Sequence, residues 1–428
     1  MENAWKKYAG NLDPVMNFGK DYIDFMTLSK TERETVDNSI EIAEKAGFKD
    51  LNTVSELKAG DKVYFNNRGK SLFLFVIGKE DLAKGLNILG AHVDSPRLDL
   101  KQHPLYEDSG LVLLDTHYYG GIKKYQWVAQ PLALHGVVCK KDGSLVKVVI
   151  GESEDDPVVG VSDLLIHLAA DQMKKTGSNV VEGEDLNVLF GSIPATTEED
   201  EKELVKKNIL NLLKERYDIE EDDFISAEIE VVPAGKARDY GFDRSMVMAY
   251  GQDDNVCAYT SLRAIVEEEN PERTSCCILS DKEEVGSQGN TGMCSSAFEN
   301  TLAELMDKCG QYSELNIRRC LRNSMMLSSD VSAAHDPNYP SVSSPNQNNA
   351  EFGKGIVFNK YTGSRGKGGS NDANPEFIAK IRKVLDDNGV NYQTSELGKV
   401  DQGGGGTIAY ILANKDVEVI DAGVAVQN

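Results

Sequence analysis

The chain has 428 residues, 40% hydrophobic and 27% charged, with a formal net charge of −23. This is an ordinary composition for a globular protein of one large or two medium domains, and the acidic balance disfavours nucleic acid and anionic membrane as partners. No run approaches the ~18 consecutive apolar residues of a membrane span, the N-terminus lacks an apolar signal core, and seven scattered cysteines without a C-x-x-C point to reduced thiols and a cytoplasmic setting.

In chain order, "KTERETVDNSIEIAEKAGF" is predicted helical. Thr31 and Glu34 form a capping box, Val36, Ile40, Ala43 and Ala46 supply the apolar positions, and Gly47 stops it. "SLFLFVIG" and "LNILGAHVD" are short apolar runs bounded by glycine, which predicts buried strands, the second ending at His92. From about residue 99 to 239 the character changes. Strand-like pieces, a "KDG" turn at Lys141–Gly143, a helix from Ser162 over "SDLLIHLAADQMKK", a second helix from near Thr197 and a closing strand "EIEVVPAG" follow one another. The second helix carries Leu204, Ile209, Leu212 and Leu213 on its apolar side. Residues 99–239 therefore read as a domain inserted into one formed by 1–98 and 240–428.

The α/β alternation then resumes. "DDNVCAYTSLRAIVEEE" is predicted helical from Asp254, and "TSCCILS", "SMMLSS" and "VEVIDAG" as buried strands. The fold class is α/β, with a central sheet covered on both faces by helices. "GSRGKGGS" and Gly403–Gly406 read as tightly turning loops.

The polar residues that could carry chemistry fall at element ends. His92 and Asp94 follow one strand, Glu283 and Glu284 a second, and Asp330 a third, while Asp254 opens a helix. In open α/β sheets, ligands bind beyond the carboxyl ends of the strands. One imidazole among several carboxylates is the donor set of a hard or borderline divalent ion, with zinc, manganese and cobalt all acceptable. It suits two ions about 3.5–4 Å apart sharing a water. Adjacent glutamates then divide the work, one binding metal and the other serving as general base. Taken singly, each residue also has an ordinary role. Paired glutamates are usually solvated, Asp254 and Asp330 can cap helices, Asp94 can be a turn residue, and His92 and His335 can be turn or loop histidines. H-E-x-x-H and G-x-S-x-G are absent, and Gly366-Lys367 lacks the rest of a P-loop.

"GAHVDSPRLDLK", "YGQDDNVCAY", "DKEEVGSQGNTGM", "LSSDVSAAHDPNY" and "GGGGTIAYILA" occur in this order across nearly the whole chain. Together they resemble the aspartyl aminopeptidase and vacuolar aminopeptidase I family of dinuclear metallopeptidases. "KTERE" and "VVPAGKARDYGFDRSMVMAYGQDDN" resemble its bacterial aminopeptidase I-like branch. The resemblance implies a metallopeptidase domain with a central mixed sheet between helices, interrupted by an inserted β-rich lid and oligomerisation domain. It also implies a homo-oligomer, a twelve-subunit shell that limits access to short peptides with a free N-terminus, and two divalent ions per subunit, usually zinc. By motif, His92, Asp254, Glu284 and Asp330 match metal ligands, with Asp254 bridging and Asp253 left out. Asp94 matches the acid that supports the histidine, and Glu283 the general base. His335 matches a position near the site, Lys354 one where relatives use a basic residue, and Arg365 is a further candidate for substrate contact. The branch favours neutral or broad specificity for the first residue.

The family's last ligand, a histidine in an "MH" pair, falls after the segment matching "VIDAGVAVQN", and the sequence stops at Asn428. Either the natural end lies beyond Asn428 or the second metal has one ligand fewer, and a match that runs up to the last residues favours the former. Two other functions compete with the peptidase. One is a dinuclear hydrolase of N-blocked amino acids or small amides. The other is an inactive metal-binding scaffold, against which the retained Glu283 speaks.

Overall fold

The computed structural model describes residues 2–196, 202–344, 346 and 348–427. The chain divides into two compact units, Met1–Asp94 with Gly241–Asn428, and Ser95–Tyr240.

The first unit is built on a nine-stranded mixed sheet. Its order is Lys49–Asp50, Lys62–Asn67, Ser71–Val76, Ser275–Ser280, Asn87–His92, Met325–Ser328, Glu418–Gly423, Ile356–Asn359 and Tyr392–Thr394. The four strands Ser275–Ser280, Asn87–His92, Met325–Ser328 and Glu418–Gly423 run parallel, so their carboxyl ends share one edge. Register sets Ser280 beside His92.

Alternation sorts the apolar residues to two faces. Ile88, Cys276, Met326 and Val419 pack with Phe298 and Leu302 of the helix Ala297–Lys308, and with Ile317 and Leu321 of Glu314–Asn323. Ile420, on the opposite face from Val419, packs with Phe358, Ala422 and Phe377 of Pro375–Asp387. Each Val, Leu, Ile, Phe or Met side chain among these, fully buried, contributes about 1.5–3 kcal/mol.

Near the N-terminus, Thr31 Oγ1 caps the helix Glu32–Lys45 by accepting the Glu34 N–H at 3.2 Å. Glu34 does not return the bond to Thr31. Its carboxylate accepts the Lys30 N–H at 3.2 Å, so only half of the predicted capping box forms. A helix that periodicity did not single out, Asp13–Leu28, buries Tyr22, Phe25 and Met26. Tyr259 packs among Phe18, Tyr22 and Phe25 in tilted contacts with ring centroids 5.0–5.4 Å apart.

The second unit holds a six-stranded antiparallel sheet. Its order is Leu145–Ile150, Leu132–Cys139, Ala227–Pro233, Arg97–Asp108, Leu111–Tyr119 and Val188–Gly191. The "KDG" turn closes the hairpin, with Gly143 at φ +87°. One helix runs Leu204–Tyr217; the predicted start near Thr197 lies outside the described residues. The helix predicted from Ser162 does not form. Its segment is a series of turns with one 3-10 turn, Gln172–Lys174. Leu165, Ile166 and Leu168 remain 71%, 70% and 70% exposed. A short amphipathic helix draws most of its stability from burial of its apolar stripe, and here that stripe meets no core.

Candidate metal centre

The carboxyl edge of the parallel strands gathers the acidic and imidazole groups. His92 ends the strand Asn87–His92 and is 2% exposed. Its Nδ1 lies 3.0 Å from the Asp94 carbonyl and 3.4 Å from Asp94 Oδ1, while Nε2 lies 3.2 Å from Asp253 Oδ1. An Nδ1–H donating to the Asp94 carbonyl leaves the Nε2 lone pair available to a cation. His92, Asp253 and Asp330 bring donor atoms within 4.8 Å of one another, and so do His92, Glu283 and Glu284. His92 is common to both groups.

The glutamate pair does not continue its strand. Glu283–Val285 form a 3-10 turn between two left-handed residues, Lys282 at φ +69° and Gly286 at φ +91°. The turn keeps Glu283 and Glu284 on one side of the chain, where an extended strand would send them to opposite faces. Asp94 fixes it. The Glu283 N–H donates to Asp94 Oδ1 at 3.0 Å and the Glu284 N–H to Oδ2 at 3.2 Å. One fully buried carboxylate thus sets both the histidine and the turn.

The structure separates the two members of the Asp-Asp pair. Asp253, left out above, belongs to the cluster, and Asp254 does not. Asp254 is fully buried and turned inward, its Oδ2 accepting the His92 N–H at 3.3 Å, with the buried Cys257 thiol against it. The cause is backbone geometry. Asp253 and Asp254 have non-helical angles (φ −84°, ψ 102° and φ −120°, ψ 26°), so regular helix begins only after them. The motif match takes Asp254, the acid directly before Asn255. The unassigned acid just ahead of a helix start was the signal available in "QDDN".

Charge crowding is severe. Burial works to lower the His92 pKa, but the Asp253 and Asp94 carboxylates outweigh it and hold the imidazole well above its ordinary range. Burial raises Glu283, and pushes Glu284 up to about 8. Asp254 and Asp330 are likewise raised well above the usual carboxylate range, burial first. A buried imidazole ringed by half-buried and exposed carboxylates fits a hard or borderline divalent cation, whose charge would reverse this penalty.

The three substrate candidates stand outside both donor groups. His335 is exposed, with Nδ1 2.9 Å from Ser343 Oγ. Lys354 pairs with Glu351 at 2.7 Å. Arg365 lines a recess of about 300 Å³ between two glycine-rich loops, together with Lys399 and Gly404.

A family model described as aminopeptidase I zinc metalloprotease (M18) matches residues 25–428. The chain is 61% identical to a probable M18 family aminopeptidase 1 of Clostridium acetobutylicum, over 100% of this chain and 92% of that one. It is 45% identical to the protein of the same description from Thermotoga maritima, over 99% and 92%. The crystal structure of an M18 family aminopeptidase from Thermotoga maritima superposes with a TM-score of 0.95 at 44% identity, covering 99% of this chain and 92% of that one. That of aminopeptidase I from Clostridium acetobutylicum gives 0.92 at 59% identity, covering 100% and 93%.

Proposed function

The chain belongs to the aminopeptidase I zinc metalloprotease family (M18), and from that premise we propose that it removes the N-terminal residue of short peptides with Glu283 as general base. The observation that carries this reading is the meeting of two donor groups on His92, Asp253 with Asp330 and Glu283 with Glu284. His92, Asp253, Asp330 and Glu284 would hold two divalent ions. Zinc is favoured by the family description, and the oxygen-rich donor set also accepts cobalt or manganese. When bound, such ions polarise the scissile carbonyl and lower the pKa of the attacking water.

The protein's own residues do the rest. Glu283 takes the proton of that water and returns it to the leaving amine. Its burial-raised pKa suits both halves of the task. Asp94 orients His92 and, through the two amides, the turn that carries Glu283. Asp254 supports the His92 backbone and is not among the proposed ligands.

Lys354 already has its charge matched by Glu351, which supports neutral or broad specificity for the first residue over an acidic one. Arg365 and His335 are kept as weaker candidates for substrate contact. The seven cysteines are all free thiols, which supports a reducing, cytoplasmic setting; among the described residues no helix is long and apolar enough to cross a membrane. The exposed apolar side chains Leu164, Leu165, Ile166, Leu168 and Met173 support self-association into a homo-oligomer. A distant solved relative, yeast mApe1 at 21% identity, is described as a dodecamer, and the same assembly is proposed here.

The test is a panel of aminoacyl-anilides and their N-acetylated counterparts, assayed with zinc, cobalt and manganese. Free-amine substrates should turn over and blocked ones should not. Glu283→Gln should keep its metal and lose about 10²–10⁴-fold in kcat. Unchanged turnover in that variant removes Glu283 from the role, and turnover of blocked substrates alone replaces the peptidase with an amidohydrolase.

A further inference from the structure

Asp281 directly precedes the glutamate turn and is 1% exposed, yet none of the roles above uses it. Its carboxylate accepts the Thr291 hydroxyl at 2.5 Å and lies 3.1 Å from Lys282 Nζ. A backbone bridge joins Asp281 to Gly292, closing the intervening residues into a compact loop. Within that loop the Gly286 N–H donates to the Glu283 carbonyl at 2.9 Å and the Ser287 N–H to the Lys282 carbonyl at 2.6 Å. The closure has no slack, since a Cβ on Gly292 would stand 2.3 Å from the Ser287 oxygen. Asn67 Nδ2 ties the far side of the loop to the sheet through the Asn290 carbonyl at 3.0 Å.

Lys282, at φ +69°, occupies a region that non-glycine residues populate sparsely. Such a conformation persists only where its surroundings hold it. Two clamps do so here. Asp94 takes the amides of Glu283 and Glu284 from the side of His92. Asp281 and Thr291 close the loop at its base.

We propose that Asp281 and Thr291 form a positioning pair that holds Glu283 where it can accept the proton of the attacking water. The inference rests on Glu283 as the general base. Asp281 acts through Lys282 and the peptide bonds that follow, and touches no reacting atom. The physical requirement is reach: a base works within about 2.6–3.2 Å of its proton, and a misplacement of about 1 Å costs on the order of 10²-fold.

The experiment compares Thr291→Val, Thr291→Ser and Asp281→Asn with Glu283→Gln in the full chain. It reads kcat and KM on an aminoacyl-anilide, zinc content and Tm. Thr291→Val should lower kcat about 10–100-fold, with KM within about 3-fold and zinc content unchanged. Thr291→Ser keeps the hydroxyl and should restore kcat. Asp281→Asn can still accept that hydroxyl and, as a milder change should Thr291→Val fold poorly, should lower kcat in the same direction. A Thr291→Val protein with lowered Tm but wild-type kcat well below its Tm overturns the proposal, as does loss of zinc in step with activity. If Glu283→Gln retains turnover, the base assignment itself fails. If Glu283→Gln is inactive while Thr291→Val is untouched, only the positioning pair fails.

Discussion

The two units of the chain carry opposite burdens. The unit Met1–Asp94 with Gly241–Asn428 crowds like charge: Asp253, Asp330, Glu283 and Glu284 gather around His92, which is 2% exposed, and burial pushes Glu284 up to about 8. The unit Ser95–Tyr240 exposes apolar surface, with Leu165, Ile166 and Leu168 at 70–71%. Buried carboxylates without a compensating charge are driven toward protonation, and a contiguous exposed apolar run forfeits the roughly 25 cal/mol per Å² that burial returns. Each burden points to a different occupant, a cation for the first and a protein surface for the second. The lesson is that both occupants are read from what a folded chain leaves poorly compensated.

The sharpest way to break this comparison is at the acid pair. Asp253→Asn should deplete bound zinc and cost more than the 10–100-fold in activity typical of an outer partner of a ligand. Asp254→Asn should stay within about 10–100-fold and keep its metal. Zinc analysis with kcat/KM decides, and the reverse order of effects would restore Asp254 as the ligand. Next is Gly423→Ala. A Cβ there would stand 1.6 Å from the Asp330 carbonyl oxygen and 2.5 Å from its carbon. The backbone bearing Asp330 must move, and a fall of about 10–100-fold in zinc affinity is expected, measured by competition with a chelator.

On the apolar side, Leu165→Asp with Ile166→Asp should shift the protein to smaller species in light scattering while circular dichroism stays unchanged. An unaltered mass would remove this run from any interface.

The smallest effect concerns a buried acid away from the donor groups. Asp421 is 3% exposed, its Oδ1 accepts the Thr407 hydroxyl at 2.7 Å, and burial pushes its pKa to about 7 from 3.8. The folded state therefore binds a proton that the unfolded state releases. Stability is unaffected below about pH 4, declines as pH rises toward 7, and is level above it. Asp421→Asn should thus match the parent at pH 4 and exceed it at pH 8, by at most about 4 kcal/mol and a few degrees in Tm. Equal melting curves at both pH values would show that this carboxyl carries no penalty.

Much of the first unit was legible. "LNILGAHVD", "TSCCILS" and "SMMLSS" are short apolar runs closed by polar residues, and each forms a largely buried strand with its acids or histidine at or just past the end. That pattern brought His92, Glu283, Glu284 and Asp330 to one edge. "SDLLIHLAADQMKK" misled because its helical periodicity reports a stripe that wants burial, while a helix forms only where something buries it.

The sequence alone determined which residues could be buried, where the central strands end, and which donor atoms are chemically able to hold a cation. Tertiary structure decided which way those donors point. Asp254 is turned inward by the His92 amide, 162 residues away in the chain, and the glutamate turn is held by Asp94 across 189 and 190. Periodicity encodes faces of regular elements; at residues with non-helical or left-handed backbone there is no face to read, and hydrogen bonds from distant segments choose the direction.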